Sequence, residues 1–140
     1  MIDHVSVPVS DLQKSADFYT KILDPLGLSP LTKRPTTWGF GKRYPEFWLN
    51  VREGLLRAPD ISGHHICLRG PSIQSIENFY RMALESGGTC GGEPGERQGA
   101  MTLYFGAFIL DPDGNRIEAV TFPPKTDFQK PTGITVFPKN

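Results

Sequence analysis

The chain contains two alternating apolar segments, and each is followed by an apolar pattern of helical period. Val5, Val7 and Val9 alternate with polar or small residues, which predicts a strand with one face on a core. The segment 64–69 alternates in the same way. After each strand the apolar residues recur every three to four positions, which is typical of an amphipathic helix. Each half of the chain therefore begins with a predicted strand and helix.

Capping residues set the predicted limits of both helices. The first begins at Ser10 or Asp11 and ends before Gly27, and the second begins at Ser72 and ends before Gly87. Ser and Asp side chains accept hydrogen bonds from the free N–H groups of a first helical turn, and Gly commonly follows a helix end. Both helices are thus predicted with a start and a stop.

Short β-rich stretches bounded by turn residues complete each half. The turn Asp111–Asn115 contains Pro and Gly, so it is predicted to join two strands of a hairpin. The glycine-rich segment 90–98 is predicted to be a loop around a short strand. The remaining predicted strands are residues 28–32, 37–41, 46–52, 101–110 and 115–122.

The two halves form an internal repeat at a constant shift of 61 residues. His4 aligns with His65, and Phe18 aligns with Phe79. Strand, helix and helix end keep this register, which indicates a duplicated β-α-β-β-β unit. We therefore predict an α+β fold in which two such modules lie side by side. In each module one sheet face packs on the helix, and the more polar faces line a shared cup.

Length and composition fit a single domain with a short extension. We predict one domain over residues 1–122, with modules at about 1–56 and 63–122, followed by a proline-rich tail over 123–140. Fifteen basic residues balance fifteen acidic ones, which argues against nucleic-acid and membrane partners. Neither a signal peptide nor a disulfide framework is evident, so a cytoplasmic location is expected.

Three polar side chains are candidates for a metal site. His4 and His65 occupy equivalent positions on the first strands of the two modules, and Glu118 lies on a last strand. If the modules meet along their first strands, two imidazoles and a carboxylate converge in the cup. This facial set binds a divalent metal and leaves positions open for substrate. Taken alone, each histidine is better explained as a satisfied half-buried residue and Glu118 as an exposed glutamate. Their matched positions in the repeat, on one predicted face, favour the metal site instead.

Other candidates for the cup are aromatic, cationic or nucleophilic. Trp38, Phe40 and Trp48 would supply aromatic walls for a substrate pocket, or alternatively pack in the core. Cys67 shares the predicted face of His65 and is expected to line the pocket rather than act as a nucleophile.

Two arginines and a tyrosine complete the candidate set. Arg69 and Arg116 share the parity of the cup face and would meet a substrate anion, or else lie solvated at the rim. Tyr104 is a candidate acid, base or oxyanion donor, with simple packing as the alternative. We predict catalytic roles for Tyr104 and Arg69 and a pocket position for Arg116.

The chain resembles the vicinal oxygen chelate superfamily, which includes glyoxalase I, extradiol dioxygenases and bleomycin-resistance proteins. The resemblance rests on IDHVSVPVSDLQKSADFY, SGHHICLRG and FGAFILDPDGNRIEAV. It implies an eight-stranded, cup-shaped mixed sheet built from two βαβββ modules with helices outside, often within a dimer. By position it also implies His4, His65 and Glu118 as the metal ligands.

One position departs from the glyoxalase I pattern. Members of that type carry a fourth ligand, Glu or Gln, on the last strand of the first module. The equivalent residue here is Trp48, or Asn50 if the register shifts by two. Neither is a usual ligand, so the resemblance favours the three-ligand pattern of the dioxygenase-like members.

The leading functional prediction is a divalent-metal-dependent enzyme that acts on a small oxygen-chelating organic substrate. The ligand types suit Fe, Mn, Zn, Ni and Co alike. The alternative is a protein of the bleomycin-resistance type that binds or sequesters a drug or metabolite. A regulatory protein with a vestigial site is a third possibility. A homodimer is expected from the resemblance alone.

Overall fold

The computed structural model describes residues 1–59 and 62–124, which form two four-stranded sheets. The first module contains β1 (Val5–Val9), α1 (Leu12–Leu23), a 3-10 turn (Asp24–Leu26), β2 (Ser29–Lys33), β3 (Thr37–Gly41) and β4 (Pro45–Val51). The second module contains β5 (Ile66–Arg69), α2 (Ile73–Glu85), β6 (Thr89–Gln98), β7 (Leu103–Leu110) and β8 (Arg116–Thr121).

The two sheets have the same topology. Their strand orders are β1-β4-β3-β2 and β5-β8-β7-β6. In each sheet the first strand pairs in parallel with the last strand, and the other pairs are antiparallel. The duplicated βαβββ unit and the α+β class are thereby confirmed. β1 and β5 are both edge strands of their sheets.

The core lies between the helices and one face of each sheet. The helices begin at their predicted caps: Asp11 accepts a hydrogen bond from the Lys14 N–H, and Ser72 accepts one from the Ser75 N–H. α1 packs against α2, and the buried faces of both helices join the apolar faces of both sheets in one cluster. On β1 and β5 the alternate residues remain more exposed, which leaves one face of each sheet for a cup.

The prediction of a loop around a short strand over residues 90–98 is wrong in the extent of the strand. Residues Thr89–Gln98 form β6, a ten-residue strand that pairs with β7. Its register shifts between Cys90 and Gly92 and again between Gly92 and Gly95. Glycine carries no side chain for an alternating pattern and is common where a strand bulges. The strand therefore lacks the periodicity on which the prediction depended.

The Asp111–Asn115 turn joins the two modules through a buried hydrogen-bond network. The Asp111 carboxylate accepts hydrogen bonds from the Tyr19 hydroxyl at 2.7 Å, the Asn115 N–H at 2.8 Å and the Asp113 N–H at 2.9 Å. The Asn115 amide also donates to Asp111 and to the Pro8 carbonyl, each at 2.8 Å. Tyr19 lies on α1 and Pro8 on β1, so this turn fixes the second sheet against the first module.

Burial and hydrogen bonding act on the Asp111 carboxyl in opposite directions. Burial raises the pKa of Asp111, while hydrogen bonds from Asn115 and Tyr19 lower it, and the net shift is upward. Burial, followed by the charge of Asp111, raises the pKa of Tyr19 well above its usual value. Tyr19 is therefore a constant hydrogen-bond donor over the working pH range.

The predicted tail begins at residue 123, and its residues 125–140 lie outside the described part of the chain. Within the described part, no helix has the length and apolar character needed to cross a membrane.

Candidate metal centre

His65 and Glu118 meet on the exposed face of the second sheet. The Nε2 atom of His65 lies 3.1 Å from the Oε2 atom of Glu118. Glu118 lies on β8, and His65 directly precedes β5, which pairs in parallel with β8 so that Cys67 aligns with Glu118. Glu118 is only 5% exposed, whereas the His65 side chain is 36% exposed. The carboxylate is thus buried beneath an imidazole that reaches solvent.

The second nitrogen of His65 supports a cation between these two side chains. The Nδ1 atom lies 3.2 Å from the Gly63 carbonyl oxygen, so a neutral ring that donates there directs its Nε2 lone pair at Glu118. A lone pair facing a carboxylate requires a proton or metal ion between them. Two atoms that each lie about 2.1 Å from one ion, at right angles, are about 3 Å apart. The 3.1 Å separation fits a hydrogen bond from a protonated imidazole, and it also fits two ligands of one ion.

His4 lies apart from this pair. It precedes β1, its side chain is 58% exposed, and its Nδ1 atom lies 2.7 Å from the Asp3 carboxylate. Among residues 1–59 and 62–124, no group of three or more His, Cys, Asp and Glu side chains is close enough to hold a metal ion. One chain therefore brings His65 and Glu118 together and leaves His4 outside their cluster.

Cys67 and Tyr104 flank the Glu118 carboxylate. Partial burial and then the charge of Glu118 raise the pKa of the Cys67 thiol to about 12, although one side of the residue remains exposed. Burial and the charge of Glu118 also raise the pKa of Tyr104, and the Arg97 guanidinium opposes this shift. Both groups therefore hold their protons at neutral pH and are available as hydrogen-bond donors.

This environment predicts a poorly reactive thiol at Cys67. A shift from 9.0 to about 12 lowers the thiolate fraction at pH 8 by about 1000-fold. In metal-free protein carrying Cys90→Ser, we expect iodoacetamide to alkylate Cys67 at least about 100-fold more slowly than free cysteine. Adding Glu118→Gln should accelerate the reaction. Mass spectrometry of the Cys67 peptide measures the rate, and a rate equal to that of free cysteine would contradict this description.

The aromatic residues of the first module lie on two different faces. Trp38 aligns with Leu49 and Phe40 with Phe47 across β3 and β4, and Phe40 is fully buried in the core. The prediction of Phe40 as a pocket residue is therefore wrong, and Trp38 packs against the same core. Trp48 has the opposite parity and lies on the other face of the sheet.

The strand register decides which residue corresponds to Glu118 in the first module. Ser6 aligns with Trp48, and Cys67 aligns with Glu118. Ser6 and Cys67 are themselves equivalent in the repeat. Trp48 rather than Asn50 thus stands where a fourth ligand would be, and an indole cannot coordinate a metal through its nitrogen lone pair. Asn50 instead donates a hydrogen bond to the Ser6 hydroxyl.

Arg69 and Arg116 both lie against aromatic rings of the second module. The Arg69 guanidinium is 4.6 Å from the Phe122 ring centre, and that of Arg116 is 4.7 Å from the Phe108 ring centre. The sequence analysis missed Phe108 and Arg97, which belong to the same face. The face of Phe108 could have been predicted from the hairpin, because Phe108 lies directly opposite Glu118 across β7 and β8. Arg97 was hidden in the segment predicted as a loop.

The duplicated βαβββ unit, with one open face on each of two sheets that share a topology, is the architecture of one superfamily of small proteins. The model of the Glyoxalase/Bleomycin resistance protein/Dioxygenase superfamily matches residues 1–119. The chain belongs to this superfamily.

Solved structures agree with this assignment. A glyoxalase/bleomycin resistance protein from Albidiferax ferrireducens is 30% identical, with a TM-score of 0.74, over 86% of this chain and 98% of that one. A superfamily protein from Alicyclobacillus acidocaldarius is 18% identical, with a TM-score of 0.64, over 90% and 94% of the two chains. A glyoxalase I variant from Zea mays is 24% identical, with a TM-score of 0.65, over 89% of this chain and 46% of that one. The last two show likeness of fold alone. A search of curated proteins finds no significant match.

Proposed function

We propose that this protein is a divalent-metal-dependent enzyme of the glyoxalase/dioxygenase type that acts on a small oxygen-chelating organic substrate. The observation that carries the proposal is the buried Glu118 carboxylate 3.1 Å from the Nε2 atom of His65. Burying a carboxylate is costly unless a cation or hydrogen bonds compensate it. A metal ion held by His65 and Glu118 would offset that cost.

The third ligand in this proposal is His4 of a second copy of the chain. His4 is exposed beside β1, which is an open edge of the first sheet, and His65 precedes β5, an open edge of the second sheet. Met1 and Ile2, next to His4, are exposed apolar residues, as is Phe122 on the second module. A homodimer that joins the edge β1 of one copy to the edge β5 of the other would cover these side chains and close the cup.

The chain itself supplies binding, orientation and proton donation. His65 and Glu118 would hold the ion, which supplies Lewis-acid charge to substrate oxygens and is one of Fe, Mn, Zn, Ni or Co. Tyr104 keeps its proton, so it can donate a hydrogen bond to a substrate oxygen that gains negative charge. Phe108 packs edge-on against the His65 ring, with 5.2 Å between the ring centres, and so helps to orient the imidazole.

Metal content tests this proposal, with a neighbouring histidine as the matched control. We expect protein purified without chelator to hold about one equivalent of divalent metal per chain. His65→Ala should lose it, whereas His64→Ala should keep it, because His64 contacts the Ser62 hydroxyl instead. Elemental analysis gives the answer. A wild-type protein that takes up no metal on titration, or a His65→Ala variant that keeps it, would overturn the proposal.

The second candidate function is sequestration of a drug or metabolite. The aromatic rings of Tyr104, Phe108 and Phe122 on the open face of the second sheet favour it. Turnover separates the two candidates. With iron bound we would assay O₂ uptake with catechols, and with zinc, nickel or cobalt we would assay lyase and isomerase reactions. Ligand binding by metal-loaded protein without turnover in either assay would favour sequestration.

A further inference from the structure

Two guanidinium groups lie over one aromatic ring beside the His65–Glu118 pair. The Arg116 guanidinium is 4.7 Å from the Phe108 ring centre, and the Arg97 guanidinium is 5.7 Å from it. Phe108 is directly opposite Glu118 across β7 and β8, and its ring contacts the His65 ring. Both guanidinium groups therefore contact a ring that itself contacts the proposed ligand His65.

The backbone of β6 makes room for this arrangement and orients both arginines. The Gly91 carbonyl accepts a hydrogen bond from Arg116 at 2.8 Å, and the Glu93 carbonyl accepts one from Arg97 at 2.8 Å. A Cβ atom at Gly92 would lie 3.3 Å from both the Arg97 Nη2 atom and the Phe108 ring. A side chain there would crowd both groups, so glycine at this position leaves room for Arg97 beside Phe108.

These arginines have no carboxylate partner among the described residues. None of the salt bridges in residues 1–59 and 62–124 involves Arg97 or Arg116. A guanidinium has five N–H donors, and each of these two arginines uses one on a backbone carbonyl. The Nε atom of Arg97 is buried and lacks a hydrogen-bond acceptor in the same part of the chain. Two fixed cations with free donors are placed to receive an anion.

The face of the second sheet that carries Glu118 has a net positive charge. Arg97, Arg116 and, above Phe122, Arg69 contribute three positive charges, against one negative charge from Glu118. Tyr104, which lies opposite Arg97 in register, is on the same face. Like charges on an apolar, partly dry surface repel each other, and a bound anion relieves that repulsion.

We propose that Arg97 and Arg116 form an anion subsite that binds a carboxylate or phosphate group of the substrate next to the metal centre. Such a subsite would define the substrates of the proposed enzyme as small organic acids. The inference rests on the proposed function for the role of the metal. Guanidinium groups match both anions through paired N–H donors. The Phe108 ring, which both guanidinium groups approach, adds apolar surface for another part of the same molecule.

Calorimetric titration with three matched probes tests the subsite: benzoate, phenylphosphonate and the neutral benzamide. Wild-type protein should bind at least one of the two anions, and at least about tenfold more tightly than benzamide. The preferred anion identifies carboxylate or phosphate chemistry. Equal binding of all three probes, or binding of none of them, would overturn the proposal.

Variants locate the binding to the two arginines. Arg97→Gln and Arg116→Gln should each weaken the preferred anion by about 10- to 100-fold. Arg81→Gln is the matched control, because Arg81 pairs with Glu85 on the surface of α2, and its affinity should be unchanged. Thermal unfolding checks that each variant is folded, and Arg97→Met and Arg116→Met, which keep an apolar stem of similar length without the charge, replace any that is not. Unchanged affinity in folded arginine variants would contradict the assignment.

Titrations of metal-free protein separate this proposal from the metal-dependent function. If the protein takes up no metal but binds anions through these arginines, the anion subsite is supported and the metal-dependent function is contradicted. If folded Arg97→Gln and Arg116→Gln variants keep both normal metal content and full anion affinity, the metal site is supported and the anion subsite is contradicted.

Discussion

Glu118→Gln should lower the affinity for a divalent metal by more than about 100-fold, because it removes a ligand and not merely a neighbour of one. Glutamine keeps the size and most of the hydrogen-bonding capacity of the side chain but loses its negative charge. The expected result is therefore a loss of metal without a change in packing. Equilibrium titration of chelator-treated protein with Zn²⁺ or Co²⁺ measures the affinity.

The stability of the same variant without metal distinguishes a ligand from a structural residue. Glu118 is a buried carboxylate paired with one half-exposed imidazole, and such pairs contribute little net stability. We expect the free energy of unfolding of metal-free Glu118→Gln to lie within about 1 kcal/mol of the wild type or above it. A large loss of stability together with unchanged metal affinity would assign Glu118 to the fold instead of the site.

Asp111→Ala should destabilise the protein by about 3 kcal/mol or more, because it removes one acceptor that several buried donors share. The Tyr19 hydroxyl, the Asn115 N–H and the Asn115 amide would all lose a partner in a place that water does not reach. Each unsatisfied buried group costs about 1–3 kcal/mol. Chemical denaturation of metal-free protein measures the loss.

Two variants in the same network provide a graded comparison. Tyr19→Phe removes a single hydrogen bond to Asp111 and should cost about 1–2 kcal/mol. Asp113→Ala, in the same turn, removes surface hydrogen bonds to Ser10 and should cost less than about 1 kcal/mol. Equal losses for Asp111→Ala and Asp113→Ala would show that the buried network does not join the modules as described.

The sequence predicts those parts of the fold that local chemistry determines. Asp11 and Ser72 cap the helices where expected, because capping depends on a side chain and the N–H groups of the next turn. The repeat predicts that both sheets share one strand order, since equivalent sequences bury equivalent faces. β6 escaped prediction because its glycines remove the alternating pattern, and Arg97 was missed with it.

Contacts between distant parts of the chain account for the rest. Turn chemistry identifies the Asp111–Asn115 turn, yet nothing local shows that Asn115 donates to Pro8 of the other module. Which face of the sheet is buried also depends on how the strands pair and pack. In the structure Phe40 lies on the core face and Trp48 on the opposite face. The pairing of His65 with Glu118 follows from β5 and β8 being neighbours, an arrangement that the repeat alone leaves open.

The metal content of a mixed dimer tests directly whether two copies of the chain share a metal site. A chain carrying His4→Ala is co-expressed with a chain carrying Glu118→Ala, and the heterodimer is isolated through two different tags. If His4 of one copy completes the site of the other, the heterodimer holds one intact and one doubly altered site. We expect about one metal ion per heterodimer and little in either variant homodimer. A heterodimer without metal, beside a wild-type dimer that holds two, would contradict the shared site.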